Sequence, residues 1–121
     1  MVLVDTSVWV SHFRDGNNEL ENLLNDGAVL CHPLILGELA CGNLKDRTVI
    51  LSLLRLLPMC IEAQHEEVLF LIENKSLMGK GIGYIDAQIV ASSLLEGVPI
   101  WTLDKKLAQV ADSLHIKYND L

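Results

Sequence analysis

Basic residues, cysteines and long apolar segments are all scarce in this chain of 121 residues, and each shortage narrows the class of protein. Nine lysines and arginines stand against sixteen acids, and the net charge of −7 argues against a broad basic face for nucleic acid. It does not exclude a nucleic-acid enzyme whose carboxylates are neutralised by cations. The three cysteines (Cys31, Cys41 and Cys60) form no C-x-x-C pair, so we expect small core residues rather than a disulfide framework or a zinc site.

The longest apolar stretch, residues 49–61, is interrupted by Arg55 and Pro58 and is too short to span a bilayer. Met1 leads into an apolar segment without a positively charged stretch, so no secretory signal is expected. Half of the residues are hydrophobic, which suffices for one core in a domain of this length. The composition therefore predicts a single domain, residues 1–121, in the reducing cytoplasm.

Short apolar segments alternate along the chain with helical segments whose ends are marked by glycine or proline. The first segment, VLV, is apolar at every position, which is typical of a parallel strand buried on both faces. Further strands are predicted within residues 28–32, 59–61, 98–101 and 115–118. This alternation predicts a three-layer α/β/α fold, with a mostly parallel sheet of about five strands flanked by helices.

Two acids are predicted to follow strands. Asp5 follows the first strand and Asp104 comes soon after the segment VPIW, and ligands of parallel sheets bind outside such carboxyl ends. Each acid also precedes a predicted helix, and capping of that helix is the structural alternative, commonly worth about 1 kcal/mol. Taken singly, capping explains Asp5 as well as catalysis does, and it explains Asp104 better.

A third acid, Glu38, lies within a predicted helix among apolar neighbours that include Leu34 and Ile35. A carboxylate on an apolar face needs a partner, because an unpaired buried charge is costly. A buried salt bridge is the structural alternative, but no basic residue occurs between Arg14 and Lys45. We therefore favour a functional role for Glu38.

The fourth acid, Asp86, lies in the first turn of a helix that follows a glycine-rich stretch. There a carboxylate also complements the helix dipole, which is its structural alternative. Asp86 shares a helix face with the apolar Val90, opposite a predicted polar side formed by Gln88, Ser92 and Glu96. The pattern predicts that Asp86 points inward.

The predicted fold gathers these four acids at one edge of the sheet. Like charges gathered in a partly buried site are destabilising unless a cation lies among them. Hard oxygen ligands select Mg²⁺ or Mn²⁺, and such a site typically activates water for attack on a phosphodiester. The set therefore predicts a metal site formed by Asp5, Glu38, Asp86 and Asp104.

Four segments, in order across nearly the whole chain, resemble the motifs of PIN-domain ribonucleases, and specifically of the VapC-type toxins of toxin–antitoxin pairs. They are VLVDTSVWV, LILGELACG, GIGYIDAQIVASSL and PIWTLDKKL. The resemblance implies Mg²⁺- or Mn²⁺-dependent hydrolysis of RNA by water. It also implies that Asp5, Glu38 and Asp86 hold the metal directly, and that Asp104 does so directly or through water.

The resemblance further implies that Thr6, Ser7 and Thr102 support the site. It implies a homodimer and a cognate antitoxin whose C-terminal segment covers the site. Trp9 and Phe13, one helical turn apart, and the apolar segment VILSLLRLL are candidate antitoxin surfaces. A place in the core is the alternative for each, and we prefer it for Trp9.

Few basic residues accompany these motifs. Lys80, in the glycine-rich stretch, and Lys105 are predicted phosphate contacts, with solvated surface charge as the alternative for each. The four histidines share no spacing and are assigned no ligand role.

Three rival functions remain as alternatives. A phospho-accepting receiver domain needs an aspartate closing its central strand, where the chain offers only Glu62. A haloacid-dehalogenase-type phosphatase needs a second acid two residues after the first, and that position holds Ser7. A PIN-like protein-interaction module without nuclease activity is the more plausible rival, but the complete set of acids argues against it.

Overall fold

The computed structural model describes residues 1–119, and in that range it has three strands and seven helices. In chain order these are β1 (Val2–Val4), α1 (Thr6–Asp15), α2 (Asn18–Asn25), β2 (Val29–Leu30), α3 (Pro33–Cys41), α4 (Arg47–Leu54), α5 (His65–Asn74), α6 (Tyr84–Glu96), β3 (Ile100–Trp101) and α7 (Lys105–Ser113). None of these helices combines the length and apolarity needed to cross a bilayer.

The sheet has the strand order β2-β1-β3, and both pairings are parallel. Leu3 of the central strand lies opposite Leu30 on one side and Ile100 on the other. All three residues of β1 are buried, as a central parallel strand requires when helices cover both faces of the sheet. The predicted α/β class, with a parallel sheet and flanking helices, is confirmed.

The predicted number of about five strands is wrong, because two of the expected strands pair at a single residue each. Met59 forms a parallel bridge with Cys31, the residue after β2. Lys117 forms a parallel bridge with Ile100 of β3. At Met59 the preceding residue is Pro58, which has no N–H and cannot extend the ladder. The chain thus passes the sheet five times but forms three strands.

One connected hydrophobic core reaches from Val2 in β1 to Val110 in α7. Trp9 belongs to it, with 2% of its surface exposed, so the core interpretation of Trp9 is confirmed. Cys31 and Cys60 are buried, whereas Cys41 is exposed at the end of α3, and the prediction of a core position is wrong for that residue.

The predicted polar side of α6 is also wrong, because Gln88 and Ser92 are buried. Ser92 is hydrogen-bonded to His32, which caps α3 by accepting a hydrogen bond from Leu34 N–H at its Nδ1. The ring proton is therefore on Nε2, which donates to Ser92 Oγ at 2.9 Å. Ser92 donates to Gln88 Oε1, and Gln88 Nε2 donates to the carbonyl of Ala63. This satisfied polar network joins α3, α6 and the segment before α5.

Candidate active site

Asp5 stands where β1 ends and α1 begins. Its extended backbone, with φ −71° and ψ 156°, ends the strand, and its side chain caps α1 at Ser7 N–H. Oδ2 also accepts hydrogen bonds from Ser7 Oγ at 2.7 Å and Thr102 Oγ1 at 2.8 Å. No donor among the described residues reaches Oδ1. The capping alternative is therefore correct for one oxygen of Asp5 and leaves the other available to a ligand.

The hydroxyls of Ser7 and Thr102 join the carboxyl ends of β1 and β3. While each donates to Asp5, Ser7 Oγ accepts from Leu103 N–H at 2.9 Å and Thr102 Oγ1 accepts from Asp104 N–H at 3.0 Å. Because each oxygen has both a donor and an acceptor partner, neither hydroxyl is free to rotate away. The pair thus fixes the orientation of the Asp5 carboxylate.

Glu38 is tied to the same strand end through Thr6, whose Oγ1 donates to Glu38 Oε1 at 2.7 Å. The side chain of Glu38 is exposed, so the prediction that it lies on an apolar inward face is wrong. Of the neighbours behind that prediction, Ile35 is buried but Cys41 is exposed, which places Glu38 at the border of the buried face of α3. Its partner is a hydroxyl rather than the distant cation that a salt bridge would need.

Asp86 is the third residue of α6, which begins after the extended backbone of Gly83. It is half-buried, and burial is the largest cause that raises the pKa of its carboxyl. The charge of Asp5 raises that pKa further, a backbone hydrogen bond with Gly83 lowers it, and Asp104 and then Glu38 add smaller increases.

Asp104 caps α7, because its Oδ1 accepts a hydrogen bond from Leu107 N–H at 3.0 Å. Its side chain is otherwise exposed. The structural alternative is thus correct for Asp104 as it is for Asp5. Capping occupies one carboxylate oxygen and does not remove the charge that Asp104 contributes near Asp86.

The four acids from four separate segments therefore share one electrostatic neighbourhood centred on Asp86. They are not packed tightly: within residues 1–119, no three His, Cys, Asp or Glu side chains are grouped closely enough to hold a metal ion as they stand. Repulsion among like charges is a physical reason for that spacing. The donor chemistry fits a hard divalent cation, since every donor is a carboxylate oxygen and Asp5 Oδ1 accepts no hydrogen bond from the part of the chain that the structure describes.

Sequence reasoning selected the acids and hydroxyls of this neighbourhood but missed how they pair. The Thr6–Glu38 bond joins residues 32 positions apart, and the Thr102–Asp5 bond joins residues 97 apart. No local pattern contains such pairs. The two predicted phosphate contacts, Lys80 and Lys105, are both exposed.

This combination of a parallel sheet and acids at its carboxyl edge agrees with comparison to known families. A family model with the description "PIN domain" matches residues 2–113. The chain therefore belongs to the PIN-domain family.

Among characterised proteins, the chain is similar to Ribonuclease VapC32 of Mycobacterium tuberculosis. The protein from strain CDC 1551 / Oshkosh and that from strain ATCC 25618 / H37Rv are each 44% identical to it over 108 residues. The aligned part is 88% of this chain and 87% of the relative in both cases. Within the PIN-domain family, the chain thus resembles ribonucleases of the VapC type.

Proposed function

We propose that this protein is a metal-dependent endoribonuclease that uses Mg²⁺ or Mn²⁺ and acts in the cytoplasm as the toxin of a toxin–antitoxin pair. The observation that carries the proposal is the joining of Asp5 to Thr102 and of Glu38 to Thr6 at one edge of the sheet, where the charges of Asp5, Asp104 and Glu38 also raise the pKa of Asp86. Membership of the PIN-domain family and the likeness to a ribonuclease support it. We propose that residues 1–121 form one PIN domain, although the last two lie outside the described part.

In this proposal the four carboxylates hold the metal. The bound ion would activate water and stabilise the charge that develops on the phosphodiester. Ser7 and Thr102 both donate to Oδ2 of Asp5 and so fix the carboxylate, which leaves Oδ1 for the metal. Thr6 holds Glu38 in the same way through Oε1, which leaves Oε2 for the site. The protein thereby orients its ligands through hydroxyl groups, as outer partners of metal sites commonly do.

The decisive experiment replaces single acids by their amides. We expect Asp86→Asn and Glu38→Gln each to abolish Mn²⁺-dependent cleavage of RNA, because either change removes a ligand charge while keeping the size of the side chain. The measurement is the rate of cleavage of RNA by protein freed of antitoxin, with Mg²⁺ or Mn²⁺ supplied. Matched controls are Asp112→Asn and Glu73→Gln, which change exposed acids elsewhere and should retain activity.

The opposite result would identify a different protein class. Should both amide variants cleave RNA at the normal rate while unfolding more easily, the acids are structural. If wild-type protein cuts no RNA with either metal, the PIN-like interaction module becomes the better description.

We further propose that a cognate antitoxin covers an apolar surface formed by α1 and α4. Helix α4 and its end expose Val49, Leu53 and Leu56, the last with 80% of its surface accessible. A cavity of about 250 Å³ lies between the helices and is lined by residues that include Phe13 and the buried Trp9. Exposed apolar groups in such a cluster are typical of an interaction surface.

The proposed homodimer uses a second apolar surface, between α5 and α6. There a cavity of about 440 Å³ is lined by Phe70, Leu94 and Leu95, and Phe70 has 69% of its surface exposed. Burial of such an aromatic side chain against a second copy is a common source of dimer stability. We also retain Lys80 and Lys105 as proposed phosphate contacts.

A further inference from the structure

A cleft of about 440 Å³ between the α5–α6 connection and α7 brings together three lysines. They are Lys75 at the end of α5, Lys80 in the glycine-rich loop, and Lys106 on α7. Its lining also carries neutral polar side chains, among them Gln109 and Ser113. The cleft thus offers three ammonium groups and several hydrogen-bonding groups, and no acid is part of its described lining.

None of the three ammonium groups forms an ion pair with a carboxylate of the described residues. Among residues 1–119, the ion pair between Arg14 and Asp15 is the only one present, so no carboxylate lies within bonding distance of the cleft lysines. Three cations that line one cleft attract an anionic ligand.

The glycine-rich loop connects this cleft to the acids. The backbone of Gly81 has a φ of +82°, and Lys106 lies directly over it. A β-carbon at Gly81 would clash first with Cδ of Lys106 and would lie 2.9 Å from its Nζ, so the missing side chain makes room for the Lys106 side chain. Asp86 follows this loop and Asp104 lies two residues before Lys106. The basic cleft and the acidic neighbourhood therefore have two segments in common, the glycine-rich loop that leads to Asp86 and the start of α7 that follows Asp104.

We propose that this cleft, defined by Lys75, Lys80 and Lys106, binds the sugar–phosphate backbone of the RNA substrate next to the bond that is cut. The inference rests on the proposed ribonuclease function and adds the site that holds the substrate. An RNA whose phosphodiester reaches the four acids carries further phosphates within one nucleotide on each side. In a chain of net charge −7 those phosphates need local cations, and the cleft gathers three of them on segments that connect directly to Asp86 and Asp104.

The test measures binding separately from cleavage. A fluorescein-labelled single-stranded RNA oligonucleotide is titrated with protein in metal-free buffer with chelator, which prevents cleavage, at KCl concentrations from about 50 to 200 mM. Removing one lysine–phosphate interaction reduces the slope of log K against log[KCl] by about 0.7 for single strands. We expect that reduction for Lys106→Gln and for Lys80→Gln, and a larger one for the triple variant. Lys106→Arg should retain the slope because it retains the charge.

The matched control is Arg55→Gln, which removes the same charge from an exposed position at the end of α4. It should bind the oligonucleotide with the wild-type slope. In cleavage assays, the lysine variants should raise KM several-fold with little change in kcat, since the acids are intact. These variants change exposed side chains, so folding is not at risk.

Three results separate this inference from its rivals. Wild-type slopes in all lysine variants would overturn it. So would variants that bind RNA normally but lose affinity for an acidic antitoxin segment, because the cleft would then belong to the antitoxin. If wild-type protein cleaves no RNA but binds the oligonucleotide in a lysine-dependent way, the cleft is supported and the proposed nuclease activity is wrong.

Discussion

The pKa of the Asp86 carboxyl depends on the charges of the other three acids. Burial raises its pKa most, and the charge of Asp5, then those of Asp104 and Glu38, raise it further, while the Gly83 hydrogen bond opposes them. A folded-state pKa above the unfolded value means that the folded protein binds more protons in the interval between them. The stability linked to this group is complete below the unfolded pKa and is lost as the pH rises through the folded pKa.

Asp86→Asn should therefore unfold at a higher temperature than the wild type in metal-free buffer at pH 7. The difference should shrink as the pH falls toward the ordinary pKa of an aspartate, because both proteins then carry a neutral group. Thermal denaturation in chelator across this range measures it. Asp112→Asn, at an exposed position of α7, serves as control and should follow the wild type.

Adding Mn²⁺ should reverse that order. At a metal concentration of one hundred times Kd, a single site stabilises the folded wild type by about 2.7 kcal/mol, and the amide variant should gain far less. A lower melting temperature of Asp86→Asn in chelator at pH 7 would instead assign this carboxyl a structural role.

The pKa of His32 is shifted in the opposite direction from that of Asp86. Burial lowers its pKa, with a smaller opposing effect of the charge of Glu62, and protonation of Nδ1 would remove the acceptor for Leu34 N–H. Because the folded-state pKa lies below the unfolded value, stability is complete above about pH 6.5 and is lost as the pH falls.

We expect the free energy of unfolding of the wild type to fall between pH 7 and pH 5, by at most about 1.4 kcal/mol per pH unit for this one proton. His32→Gln should be less stable at pH 7, since it breaks the buried network, but should lose less on acidification. Urea denaturation at several pH values checks both. His115→Asn keeps a residue that tolerates the left-handed backbone there (φ 61°) and should show the wild-type slope. Equal slopes in His32→Gln and wild type would contradict the assignment.

At the level of elements, the alternation of short apolar segments and helices was enough to predict a parallel α/β protein. It was not enough to predict how long the strands are or which side chains of α6 are buried. Gln88 and Ser92 have the spacing of a solvated face, yet both are buried. His32, 60 positions away, bonds to Ser92, and the carbonyl of Ala63 accepts from Gln88. Periodicity detects polarity and cannot detect a distant partner that satisfies it.

The candidate site was more predictable than the fold details, because three of its four acids, Asp5, Asp86 and Asp104, lie at strand ends or helix starts. Asp5 and Asp104 were predicted either to cap a helix or to bind a ligand, and the structure shows that capping needs only one oxygen of each. The two interpretations are therefore compatible. What could not be predicted was the hydroxyl bonds that orient the acids, since these cross between β1, α3 and β3.

The junction of β1 and β3 gives a prediction at this level. Thr102→Val removes the hydroxyl that donates to Asp5 Oδ2 and accepts from Asp104 N–H, and keeps the side-chain shape. We expect a loss of about 10- to 100-fold in activity or metal affinity, the usual effect of removing an outer partner of a metal ligand.

Cleavage rate as a function of Mn²⁺ concentration measures this loss. Thr48→Val, on the exposed surface of α4, is the matched control and should leave the rate unchanged. A Thr102→Val enzyme with normal metal dependence would show that Asp5 needs no such support.

For the whole molecule, the composition gives the net charge but not where the charged side chains lie on the surface. A net charge of −7 with nine lysines and arginines gives no sign of a basic surface. Lys75, Lys80 and Lys106 nevertheless share one cleft, because the end of α5, the glycine-rich loop and α7 meet there. A local concentration of cations depends on the fold and is invisible in a sum over the sequence.

The two exposed apolar surfaces are expected to serve different partners. Phe70, on α5, lines the cavity between α5 and α6, and Leu56 lies beyond α4, so a charge introduced at one should leave the other surface intact. We expect Phe70→Asp to shift the protein from dimer to monomer while it still binds antitoxin. Leu56→Asp should remain dimeric and bind antitoxin less tightly. Light scattering after gel filtration measures the mass, and titration with antitoxin measures affinity. A dimeric Phe70→Asp protein would exclude the α5–α6 surface as the dimer interface, and a monomeric wild type would exclude the dimer itself.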